Sequence, residues 1–167
     1  MNSSQSSQVK IQGELSQHSL QLLYAEDFVA WADTMAQLLK QGKLDALDLE
    51  HLIEEVEDLG NRHRDSLRSQ LTRLLMHLLK WEFQPQKQTG SWLGSIKESR
   101  KQISRLLRDY PSLQNHLYDA LERCYQDAME DASEETGLSI QQFPPQCPYN
   151  VEKILDHDFL PESRKDR

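Results

Sequence analysis

One apolar row constrains this chain more than any other feature. Leu49, Leu52, Ile53, Val56 and Leu59, then Leu67, Leu71, Leu74, Leu75, Leu78 and Leu79, recur at three- and four-residue spacing and keep to one face of a single helix. The row covers roughly 35 residues, and at about 1.5 Å per residue that is a helix of about 50 Å. Its sole interruption is Gly60 followed by Asn61, where a bend or break is expected that lets the two halves pack on different neighbours. Composition agrees: 26 residues are Leu, whereas Val, Ile and Thr together number 14, and unbranched side chains lose less rotamer freedom on a helix. The fold class read from this is all-α: a multi-helix bundle with a long second helix bent near Gly60.

The remaining elements follow from caps and periods. Asp27 caps a first helix carrying Phe28, Trp31, Ala32, Met35, Leu38 and Leu39, which Gly42 ends. Asp48 is placed to cap the long helix. Ser91 opens a third helix with Trp92, Leu93, Ile96, Ile103, Leu106 and Leu107, ending near Tyr110. Pro111 begins a fourth, which keeps its period through Leu113, Leu117, Leu121, Cys124, Tyr125, Ala128 and Ala132 to Gly137. The stretch QQFPPQCPYN then reads as an extended, Pro-rich C-terminal tail, pinned by Phe143, Tyr149 and Phe159, with Asn150 capping a brief last helix. Residues 1–23 are read as a mostly disordered Ser/Gln-rich extension, 24–161 as one helical domain and 162–167 as a disordered tail.

With 37 % apolar residues, the core is expected to be a narrow seam between long, wet helices. No run of about 18 apolar residues exists to span a membrane, and no secretory signal opens the chain. Two cysteines in unlike settings, with no CxxC pair, argue against a disulfide or zinc knuckle. The chain is read as soluble and cytoplasmic.

The net charge of −8 hides a basic middle. Residues 1–60 hold 3 basic and 11 acidic side chains, residues 61–108 hold 11 and 3, and residues 109–167 hold 5 and 13. Such blocks either pair within the fold or leave a basic face for phosphate, and internal pairing is preferred.

Eight stretches carry a resemblance: YAEDFVAW, DLEHLIEEVEDLG, LLMHLLKWEFQPQ, SWLGSIKESR, YPSLQNHL, the Glu135-Thr136-Gly137 step, FPPQCPY and LDHDFLP. Over about residues 24–161 the chain resembles the domain-of-unknown-function 29 family, helical bacterial proteins found chiefly in cyanobacteria. The resemblance implies an all-α fold with a long second helix, and it implies no activity. Only the Ser/Gln-rich extension before Tyr24 departs from it.

Three constellations could carry chemistry. Glu54, Glu57 and Asp58 share one side of the long helix, and Asp127, Glu130, Asp131 and Glu134 repeat that spacing on the fourth. Facing sets could hold Mg²⁺ or Mn²⁺, although glutamate is simply a good helix former and no Glu-x-x-His pair occurs. Arg73 and His77, four apart, form a candidate catalytic pair for phosphodiester cleavage. Against this, a histidine inside LLMHLLKW is more often a core residue. Arg68, Arg100, Lys101, Arg105 and Arg108, near Trp81 and Trp92, are candidates for nucleic-acid contact by phosphate pairing and stacking. Yet both indoles fall in the seam-facing phase, and the chain's overall negative charge weakens attraction to nucleic acid. Cys147, between prolines, reads as an anchor for the tail rather than a reactive thiol.

The preferred reading is an interaction or regulatory module with an unidentified protein partner, without catalysis or cofactor of its own. The alternatives are a metal-dependent nucleotide or phosphodiester hydrolase or RNase, which alone would need Mg or Mn, and nucleic-acid binding by residues 61–108. A second copy of the chain is a further candidate partner.

Overall fold

The computed structural model describes residues 16–164. Among them every regular element is helical: α1 (Gln17–Glu26), α2 (Phe28–Lys40), α3 (Leu49–Phe83), α4 (Gly90–Asp109), α5 (Leu113–Thr136) and α6 (Val151–Leu155). The expectations for residues 1–15 and 165–167 lie outside the described residues. The chain divides into two compact units, Met1–Leu59 and Gly60–Arg167, where the sequence reading has one domain over 24–161.

In the first unit the helical structure starts earlier than Tyr24. Ser16 caps α1 by accepting the backbone N–H of Ser19, and Leu20 is fully buried. Asp27 caps α2 by accepting the N–H of Ala30, and Gly42 follows that helix at φ 68°, a left-handed conformation that glycine adopts without a Cβ clash. Leu20, Trp31, Met35 and Leu47 make a small core of four buried side chains. A polar group lies within it: Trp31 donates Nε1–H to the Asp48 carboxylate at 3.1 Å, and the His51 ring meets the same oxygen at 2.7 Å. Asp48, expected as a helix cap, thus serves the indole and the imidazole. The neighbouring carboxylate raises the His51 pKa, with a smaller opposing effect from burial.

The long helix is α3, third rather than second because α1 precedes it. It runs unbroken from Leu49 to Phe83, so of the bend or break expected at Gly60 no break occurs. A Cβ placed on Gly60 would meet only the Arg64 guanidinium, at 3.4 Å, so nothing crowds the position. A lone glycine costs a helix about 1 kcal/mol relative to alanine, too little by itself to end a helix of this length.

In the second unit the remainder of α3 packs with α4, α5 and α6 around one cluster that runs from Leu67 to Ile154. Thr89, not Ser91, caps α4 by accepting the Trp92 N–H. Gly137, at φ 74°, ends α5, and Asn150 caps α6. Phe143 and Tyr149 are buried, and Phe159 packs edge-on to Tyr149 with centroids 5.6 Å apart. Arg100, fully buried, holds the chain's final stretch: its guanidinium donates to the carbonyls of Ile154 at 2.7 Å, His157 at 3.4 Å and Phe159 at 2.8 Å. Farther on, Arg164 bonds the Glu82 carboxylate at 2.7 Å and, through its backbone N–H, the Glu82 carbonyl, so residues 162–164 are tied down and not a loose end.

Candidate functional site

In the second unit α3 and α5 line an open surface cleft of about 690 Å³. The α3 wall consists of Arg68, Ser69, Thr72, Arg73, Met76 and His77, and the α5 wall of Asp127, Asp131, Glu134 and Glu135. Helical spacing explains both. Arg73 and His77 are one turn apart, and Asp127, Asp131 and Glu134 fall at i, i+4 and i+7, so each set lies along one stripe of its helix. The cleft therefore has a cationic side and an anionic side.

His77 lies within it at 8 % exposure, and its Nδ1 has no hydrogen-bond partner. Burial, reinforced by Lys80 and Arg73, pushes its pKa down to about 4, so the ring is neutral at pH 7. Lys80, buried beside it, pairs with Glu135 and sits 4.5 Å from the centre of the Trp92 ring. Arg73 is exposed and donates to Ser95 Oγ at 3.4 Å. Arg68 pairs with Asp65 at 3.4 Å and donates to His116 at 3.2 Å. Burial and the charges of Glu134, Glu135 and Asp127 together raise the Asp131 pKa above its ordinary value.

The structure sorts the sequence candidates into distinct places. Arg68, Arg73, His77 and Glu134 come together in the cleft, joined by Asp127 and Asp131, whereas Glu130 is exposed outside its lining. Glu54, Glu57 and Asp58 are exposed in the first unit. Among the described residues no three His, Cys, Asp or Glu side chains converge to hold a metal ion. Arg100 is the clearest correction, because a guanidinium 1 % exposed and bonded to three carbonyls offers nothing to a phosphate. Lys101, Arg105 and Arg108 are exposed, the last paired with Asp109 at 3.0 Å. Cys124 and Cys147 are free thiols, and burial raises the pKa of both, that of Cys147 to about 11, which leaves neither primed as a nucleophile.

The first unit presents a different surface, where the sequence predicts an apolar row packed on a neighbour. On α3, Leu49 is 55 % exposed, Ile53 56 %, Val56 60 % and Leu59 59 %. At 100° per residue, Glu50, Glu54 and Glu57 run along one edge of that row.

These features define an all-helical protein with a charged cleft in one unit and an apolar, acid-edged helix face in the other. The family model described as domain of unknown function DUF29 matches residues 23–160, and the chain belongs to that family. No curated protein and no solved structure matches it. Among the described residues no helix is long and apolar enough to cross a membrane.

Proposed function

We propose that this chain is a cytoplasmic helical interaction module whose protein partner lays a basic amphipathic helix on the row Leu49, Ile53, Val56 and Leu59. The observation that carries the reading is the exposure of that row, four large aliphatic side chains in succession, each more than half exposed. Contiguous exposed apolar surface of this kind marks interaction sites, and i, i+4, i+7 anchors suit helix-on-helix docking. The carboxylates of Glu50, Glu54 and Glu57 set the charge of the partner, since a matching stripe of Lys or Arg would be steered and held in register. The two free thiols fit a reducing compartment.

The test is affinity capture with the native chain and with an Ile53→Glu/Val56→Glu double variant, both after nuclease treatment. The expected result is a partner that contains a basic amphipathic helix and is lost by the variant, and whose isolated helix peptide binds the native chain only, more weakly as salt rises. Three results would overturn the reading: partners retained by the double variant, nucleic acid as the sole capture, or a dimer of this chain that the variant dissolves.

A further inference from the structure

The second unit holds a seat for a guanidinium, which the chain fills with its own arginine. At the C-terminal end of α3, Arg164 donates Nε–H to the Glu82 carboxylate at 2.7 Å and its backbone N–H to the Glu82 carbonyl at 2.8 Å, and its guanidinium lies 4.6 Å from the centre of the Phe83 ring. One residue earlier, Ser163 Oγ accepts from the Gln88 side-chain amide at 2.8 Å. That amide is itself held in place, because it also donates to the Trp81 carbonyl at 2.9 Å. We propose that this seat is a recognition site for a non-helical, arginine-bearing segment of another protein, which the chain's own Ser163 and Arg164 occupy and keep closed. The seat belongs to the second unit and does not rest on the docking row of the first.

The two sides of this contact differ in what separation costs. The Arg164 side chain is 57 % exposed, so it returns to water at little loss, as the arginine of a surface ion pair does. The Glu82 side chain is only 10 % exposed and has no other cation at ion-pair distance among the described residues. Without Arg164 its carboxylate keeps the Tyr149 hydroxyl alone. A buried carboxylate stripped of its cation is costly, so an emptied seat draws in a replacement.

The bonds in the seat specify that replacement. The Nε–H and the backbone N–H of one residue reach the side-chain and main-chain oxygens of Glu82 together, and a planar cation lies against the Phe83 ring; a lysine ammonium matches neither as well. The backbone N–H must be free to reach the Glu82 carbonyl, which rules out an arginine inside a helix, where that donor is taken. A serine or threonine just before the arginine adds the bond from Gln88. Within the chain, Arg164 competes at an effective concentration on the order of millimolar, enough to close a weak site yet not to block a partner that adds contacts of its own.

Binding of a labelled peptide, Pro-Glu-Ser-Arg-Lys blocked at both ends, to the full chain tests this, beside analogues in which lysine or the uncharged citrulline replaces the arginine. Arg164→Ala empties the seat at an exposed side chain, and a thermal melt checks that the fold is kept. The variant is expected to bind the arginine peptide at least about tenfold more tightly than the native chain does, the lysine peptide about tenfold more weakly than the arginine peptide, and the citrulline peptide not at all. The bound arginine peptide should also shift the Phe83 ring protons of the variant. No binding by the variant up to about 10 mM, equal affinity in native and variant chains, or equal binding of the arginine and citrulline peptides would overturn the proposal. So would a mixed dimer of native and variant chains in sedimentation, which would put a second copy in the seat in place of another protein.

Discussion

The two units treat their apolar side chains in opposite ways. Among the described residues the first unit buries four hydrophobic side chains in its core and leaves nine large ones exposed, whereas the second buries twenty-one and leaves three. The sequence pattern on α3 is the same on both sides of Gly60. A periodic row therefore shows that a helix has an apolar face; only the helices lying opposite decide whether that face becomes core. In the second unit α4, α5 and α6 lie opposite, and the row is sealed. In the first unit most of the row is left bare.

The sharpest way to break this contrast is a matched pair of truncations on α3. Leu74→Ala, at a fully buried site, should cost about 3–4 kcal/mol in urea unfolding, and Leu49→Ala, at a side chain 55 % exposed, less than about 0.5 kcal/mol. Similar losses at the two sites would mean that the exposed row is covered and the contrast is wrong.

Next in size is pH, to which the units should respond in opposite directions. The folded-state pKa of His77 is lowered to about 4, so below the unfolded value near 6.5 the unfolded chain takes up a proton that the folded second unit refuses. Stability of that unit should fall as pH drops from about 6.5 to about 4, by up to about 3 kcal/mol, and His77→Gln should flatten the fall. The pKa of His51 is raised by Asp48, so its contribution is complete below about pH 6.5 and is lost as pH rises through the higher folded value. Amide exchange read separately on α1 and α2 and on α4 and α5 should show the first pair loosening with alkali and the second with acid; a common direction would refute the assignment.

The smallest effect falls at the boundary itself. Gly60→Ala should raise stability by about 0.5–1 kcal/mol, because the helix is continuous and a methyl group has room there. A loss would show that the glycine is needed for a distortion of α3.

Much of the fold was legible because caps and periods are local. Asp27, Gly42, Gly137 and Asn150 act where the sequence places them. The first helix was not legible: Leu20, Leu22 and Leu23 sit among Gln, Ser and His, and α1 is held by burying Leu20 against Trp31, Met35 and Leu47, which is tertiary information. In the cleft, Arg73 with His77 and the acidic stripe of α5 were each readable from spacing, but that they face one another depends on how two helices are rotated in packing. The role of Arg100 had a readable signal, since it lies four residues after Ile96 and three before Ile103, both fully buried, a phase that puts it in the core. Its charge drew attention to phosphate instead.

The clamp made by Arg100 also sets an order of events when the chain is synthesised. Its three acceptors lie 54, 57 and 59 residues downstream, so at about 5–20 residues per second the ribosome makes them roughly 3–12 s after the arginine. During that interval α4 exists with a charged side chain in the middle of its apolar face, and water must solvate it. The second unit can therefore close its interior only once the segment from Ile154 to Phe159 has been made, and the arrival of that segment is the step that licenses its final packing.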